Sequence, residues 1–293
     1  KQGARAFTGW MYGKDSMFRF NQKVHDTGVK TFLGRTSDFN GDDILNILLE
    51  NKDCAQFITR KIYRYFVNDT PDETHVEQLA EKFYQSNYNI GELMHNIFKS
   101  DWFYDESNIG NIIKSPVQLI VSIQRALPMY IENQKVLLVF NNALGQQPFY
   151  PPNVAGWPGG ASWIDSSSLM LRLKIPQLIR DDASFHITTK ADDDVQMGGG
   201  KITDPKEAAR IKKGKYRGGY NVKAVINWDK YFALFNNTEQ KDLYRKISEM
   251  LLASAQQPVA ENAVKTKESN GDRQDYIKSV TIALMSTPEF QLC

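Results

Sequence analysis

The chain has 293 residues, of which 41% are hydrophobic and 24% charged, and its formal net charge is +2. That length buries a sizeable core, as one large domain or two smaller ones, and the composition excludes wholesale disorder and fibrous repeats. The near-neutral balance argues against a dedicated nucleic-acid binder, and no apolar run is long enough for an ordinary transmembrane helix.

Lys1–Phe7 reads as the end of a helix closed by Gly9, with no cap before it, so a segment upstream of Lys1 is expected. The next stretch changes texture. Ser16–Phe20 alternates apolar and polar residues, Val29–Leu33 is β-prone, and His25, Asp26, Thr27 and Gly28 between them supply turn chemistry. A single small β-hairpin pairing these two runs is expected.

From Asp42 onward the pattern is helical. Asp42 or Asp43 is expected to cap one helix and Asp53 the next, whose Phe57, Ile58, Ile62, Tyr65 and Phe66 would form the buried face. Thr70 and Pro71 open a helix that buries Val76, Leu79, Ala80 and Phe83. Asn89 caps another, and Ser115 with Pro116 a third that runs to about Met129. A further helix from about Gln134 ends at Gly145.

Residues 146–164, QQPFYPPNVAGWPGGASWI, cannot form helix or regular strand, because the prolines fix φ and remove donors. A long shaped loop is expected, with Gly156, Gly159 and Gly160 allowing close backbone approach. Asp165 or Ser166 then caps a helix to about Ile179, which Pro176 kinks or ends. Residues 182–220 read as a surface insertion in which Asp204–Glu207 starts a short helix. Two long helices follow, Thr238–Ala253 and Arg273–Met285, separated by a polar stretch. The fold class expected is mainly α: an irregular multi-helix domain with a small hairpin near the N-terminus and a long Pro/Gly/Trp loop. Residues 1–181 would form its body and 221–293 C-terminal helices on the same core. The two cysteines, Cys54 and Cys293, do not make a disulfide framework.

With these residues in view, the chain resembles the bacterial family called domain of unknown function 1800. The resemblance rests on Ala4–Trp10, His25–Lys30 with Phe32–Gly34, Phe57–Lys61 with Phe66 and Val67, and Ile113–Pro116 with Arg125. It continues through Leu144–Gln146, Pro148, Phe149, Pro151–Val154, Gly156, Trp157, Trp163, Ile164 and Arg172 to Ser286–Phe290. It implies a predominantly helical, extracytoplasmic protein of the periplasm or cell surface. A sulfatase or alkaline phosphatase relative is a candidate partner. It attaches no reaction and no cofactor.

Chemistry in the residues themselves is sparse. His25 beside Asp26 can present a base or metal ligand, with Lys30 or Arg172 meeting an anionic group, or the pair can satisfy the turn's own backbone. Asp38–Asp42 resembles a calcium loop, but its glycine is misplaced, and a helix cap is the better reading. His75, His95 and His186 lack ligand spacing, and no metal site is expected. Trp10, Tyr150, Trp157 and Trp163, with Asp165, can form a platform for a glycan or peptide, or wedge the loop against the helices. Arg172 can hold loop carbonyls or an anion. The function expected is a binding or scaffolding module for a partner protein or glycan; the alternative is a hydrolase using His25 and Asp26.

Overall fold

The computed structural model describes residues 1–181, 184–185, 220–253, 259–265 and 272–293. The helix expected at Asp204–Glu207 and the histidine at 186 lie outside them. Two compact units divide the chain, Lys1–Tyr104 and Asp105–Cys293. Mainly helical structure with small two-stranded sheets is what both contain.

In the first unit, helix α1 (Gln2–Ala6) leads through Gly9 into strand β1 (Trp10–Tyr12), which pairs antiparallel with β2 (Phe18–Phe20). Strand β3 (Lys30–Phe32) pairs with β4 (Arg35–Ser37). The single hairpin expected between Ser16–Phe20 and Val29–Leu33 is therefore replaced by two local ones. The nearer partner wins because the short turns cost less closure entropy, and the first hairpin sets Trp10 opposite Phe20 and Tyr12 opposite Phe18.

Helices α2 (Gly41–Leu49), α3 (Lys52–Phe66), α4 (Glu73–Gln85) and α5 (Ile90–Phe98) complete this unit. Their caps differ from three of the expected ones. Asn40 caps α2 and exchanges hydrogen bonds with Asp43, Asn51 caps α3, and Asp72 rather than Thr70 caps α4. Each is an Asn or Asp oxygen that accepts from a backbone N–H of the first turn, which is the geometry a cap requires.

The buried face of α3 also differs. Ala55, Thr59 and Tyr63 point inward, while Phe57, Tyr65 and Phe66 are exposed. Small residues at positions 55 and 59 let α3 approach closely, whereas an outward-facing phenylalanine would hold its neighbour away. The core of the unit joins Tyr63 and Val67 to Val76, Leu79, Phe83, Leu93 and Ile97.

The second unit holds α6 (Pro116–Ala126), α7 (Lys135–Ala143) and α8 (Ser166–Arg180). It continues with α9 (Trp228–Phe232), α10 (Leu243–Leu251), α11 (Glu261–Val264) and α12 (Arg273–Met285). Ser115 and Gln118 form the capping box of α6, and Asp165 caps α8, as their positions predict. Pro176 lies inside α8 without ending it, because the helix continues to Arg180. Strand β5 (Met129–Ile131) pairs with β8 (Ala224–Ile226), and a short ladder joins β6 (Ser184–Phe185) to β7 (Tyr220–Asn221). The core gathers Leu119, Ile123, Phe140, Ile175, Tyr231, Ile247, Val280 and Met285, among others.

Candidate functional site

The candidate residues fall in both units. His25, Asp26, Lys30 and Trp10 belong to the first; Tyr150, Trp157, Trp163, Asp165 and Arg172 belong to the second.

In the first unit, each side chain of the His25 turn is engaged by its own surroundings. The His25 ring donates from Nδ1 to the Thr8 carbonyl at 2.8 Å and meets Phe20 edge-on. Asp26 takes a two-pronged pair from Arg5, Nε to Oδ2 at 2.7 Å and Nη2 to Oδ1 at 2.9 Å, and also accepts from the Gly28 N–H. These bonds, above all that from Arg5, hold its carboxyl well below the usual carboxylate range. Asp26 thus serves α1, 21 residues back, and its carboxylate orients Arg5. Lys30 is fully buried, and its Nζ donates to Asp38 at 2.7 Å. With Asp38 spent on Lys30 and Asn40 on the cap of α2, the Asp38–Asp42 stretch is a structural corner. Trp10 packs edge-on between Phe7 and Phe18. Among the described residues, no cluster of His, Cys, Asp or Glu is disposed to hold a metal.

The Arg5–Asp26 pair has a pH signature. A carboxylate whose folded pKa is depressed contributes stability above its unfolded pKa and loses that contribution as pH falls. In thermal melts across pH, the gap between wild type and Asp26→Asn is expected to be constant near neutrality and to shrink below about pH 4. A gap independent of pH would show that Arg5 draws nothing from the charge.

In the second unit the long loop is pinned at both ends and open in the middle. Gln146 donates its N–H to the Asn141 carbonyl, and its Oε1 accepts from the Val117 N–H at the start of α6. At the other end Trp163 is buried, and its carbonyl accepts from the Ser168 hydroxyl. Trp163 is the wedge; Trp157 is half-buried. Gly156 and Gly159 have φ values of +86° and +74°, and a Cβ on either would meet nothing within 4 Å. They serve left-handed turns rather than the close approach expected of them.

Between these anchors the backbone carries an outlier that no residue pattern announces. Phe149 has φ +63° and is 100% exposed. Tyr150 and Val154 beside it are exposed as well. A non-glycine residue at positive φ is strained, and nothing in the sequence distinguishes this phenylalanine from its aromatic neighbours. No Asp, Glu, Lys, Arg or His occurs anywhere from Val136 to Ile164.

Arg172, expected to hold carbonyls of the long loop or an anion, lies fully buried on α8 and donates from Nη1 to the Lys114 carbonyl at 2.9 Å. Among the described residues its Nε and Nη2 have no hydrogen-bond partner, and burial pushes its pKa down to about 10. Lys114 is buried too, its Nζ donating to the Phe290 carbonyl and lying over the Phe290 ring, with its pKa lowered by burial. Backbone bonds tie the same strip to the last residues: Lys114 N–H to Gln291, and Ile112 with Cys293 in both directions. Asp165 is occupied as the cap of α8.

Against known proteins, residues 1–292 match a family described as a protein of unknown function, DUF1800. No curated protein and no solved structure matches the chain.

Proposed function

The chain belongs to the DUF1800 family, and from that premise we propose that it is a binding module whose contact element is the Phe149–Val154 segment. The observation that carries this reading is Phe149, a fully exposed phenyl held at φ +63°. Strain of this kind costs roughly 1–3 kcal/mol, and an exposed apolar ring gains nothing in the free protein. A contact made by that ring supplies what folding does not.

The occupant proposed is a partner protein. Interface centres are depleted in charge and enriched in aromatics, which fits an uncharged stretch bearing Phe149, Tyr150 and Val154. The resemblance makes a sulfatase or alkaline phosphatase relative the first partner to try. From the resemblance we also propose that the protein works outside the cytoplasm, which fractionation of native cells checks. The hydrolase alternative has less support, since Asp26 is paired with Arg5 and Lys30 with Asp38.

The test replaces Phe149 by a photo-crosslinking phenylalanine analogue in the full-length protein in its native envelope. A single protein adduct, lost when Val154→Asp is added, is expected. Phe149→Gly should leave the melting temperature unchanged or higher while removing the interaction. Adducts that Val154→Asp leaves intact, an adduct of glycan rather than protein, or a marked loss of stability in Phe149→Gly would overturn the reading.

A further inference from the structure

We propose that the first hairpin, Trp10–Phe20, docks the protein on an anionic lipid surface. The hairpin is held firmly at its root and bare at its turn. At the root, Trp10 packs on Phe7 and Phe18, and the Asn21 N–H donates to the Gly9 carbonyl at 2.8 Å. Toward the turn, the paired residues Tyr12 and Phe18 are 82% and 62% exposed, and Met17 is 65% exposed. The turn is closed by the Gly13 N–H to the Met17 carbonyl and the Ser16 N–H to the Gly13 carbonyl. Four large apolar side chains, with Met11 the fourth, thus end one short ribbon facing water.

Charge decides among possible occupants. Residues 10–24 carry three cations, Lys14, Arg19 and Lys23, against the single acid Asp15. Asp15 pairs with Arg19 at 3.1 Å, and among the described residues no ion pair joins Lys14 or Lys23 to an acid. A protein interface wants a broad surface of roughly 800 Å² on each side with few charges at its centre, and one ribbon end with Lys14 at its turn, and Lys23 just past its root, does not offer it. A bilayer interface accepts this combination. Tyr and Phe rings sit at headgroup depth, methionines reach the acyl boundary, and lysine stems lie along the apolar surface while their ammonium groups meet lipid phosphates. The surface differs from the uncharged Phe149–Val154 segment in both chemistry and chain position, so the two proposals stand or fall separately.

Flotation of the full chain with vesicles tests this. Wild type is expected to partition onto phosphatidylglycerol vesicles, weakly onto phosphatidylcholine, and less as salt rises. Each of Lys14→Glu and Lys23→Glu should lower partitioning at least about fivefold, and Tyr12→Asp with Met17→Asp should abolish it. Neither Tyr12 nor Met17 contributes to the ring contacts that hold Trp10, so an unchanged melting temperature accompanies the loss. No partitioning of wild type, equal partitioning on both lipids, or Tyr12→Asp with Met17→Asp binding as well as wild type would overturn the proposal. So would a result in which these variants abolish a protein crosslink and leave lipid binding intact.

Discussion

Replacing Gly9 by valine is expected to destabilise the unit of residues 1–104 by about 3–5 kcal/mol, which is among the larger effects single substitutions produce. Two causes add. Gly9 sits at φ +86°, where a β-branched residue is strained by roughly 1–3 kcal/mol. Its Cβ would also lie 2.6 Å from the Asn21 backbone oxygen, 3.1 Å from the Phe20 ring and 3.3 Å from the His25 Cβ. The oxygen cannot swing aside as a side chain can, so the hydrogen bond closing the first hairpin must open. Gly34 is the control. Its φ is +79°, yet an added Cβ meets nothing within 4 Å, so Gly34→Ala should cost only about 1 kcal/mol. Urea unfolding of both variants checks the pair; equal losses would mean that conformation alone, and not the clash, sets the cost.

Arg172 gives the second large effect, and the contrast between two substitutions matters more than either alone. Keeping this guanidinium charged in its buried place costs on the order of 3 kcal/mol at neutral pH, the equivalent of a pKa lowered to about 10. That cost is fully present below pH 10 and is relieved only as pH rises toward the ordinary arginine value. Against it stand the bond to the Lys114 carbonyl, about 1.5–3 kcal/mol for a charged donor, and the packing of a long side chain. Arg172→Ala loses both and opens a cavity, so the unit of residues 105–293 should lose roughly 2–4 kcal/mol after the charge is relieved. Arg172→Met keeps most of the volume and should lie within about 1.5 kcal/mol of wild type. A methionine variant as unstable as the alanine one would show that the Lys114 bond outweighs packing.

Much of the fold was legible because local chemistry decides it. Asn89 and Ser115 stand alone in front of their helices as capping residues, Asp165 is one of the two candidates at the start of α8, and the extent of Arg273–Met285 follows from its flanking polar residues. Where two capping residues compete the sequence does not rank them: Asn40 against Asp42 and Asp43, Asn51 against Asp53. All have comparable cap propensity, and the winner depends on which peptide is extended. The face of α3 departs from its hydrophobic pattern for another reason. Hydrophobicity favours Phe57 and Phe66, but helix contact selects the small Ala55 and Thr59, a property of the neighbour rather than of the segment.

The candidate site shows the same limit more sharply. His25, Asp26 and Lys30 stand out in the chain, but their partners do not. Arg5 lies 21 positions before Asp26, and Asp38 eight after Lys30, and no periodicity links either pair. The burial of Arg172 contradicts what its charge leads one to expect. Phe149 is one of several aromatics in a loop, and only its backbone angle and its full exposure set it apart.

The antiparallel bridge between Ile113 and Leu292 has a bearing on synthesis. Residues 1–104 hold an apolar core drawn wholly from their own stretch, so they can collapse while the remainder is still being translated. The later unit cannot. Its first strip at 112–114 must wait for 291–293 to leave the ribosome, and the core that Leu119, Ile123 and Phe140 join stays incomplete until Val280 and Met285 are made. Nascent chains of this protein therefore carry the unit from residue 105 onward unshielded until residue 293 has emerged, and a holdase chaperone is expected to bind that unit and to spare the other.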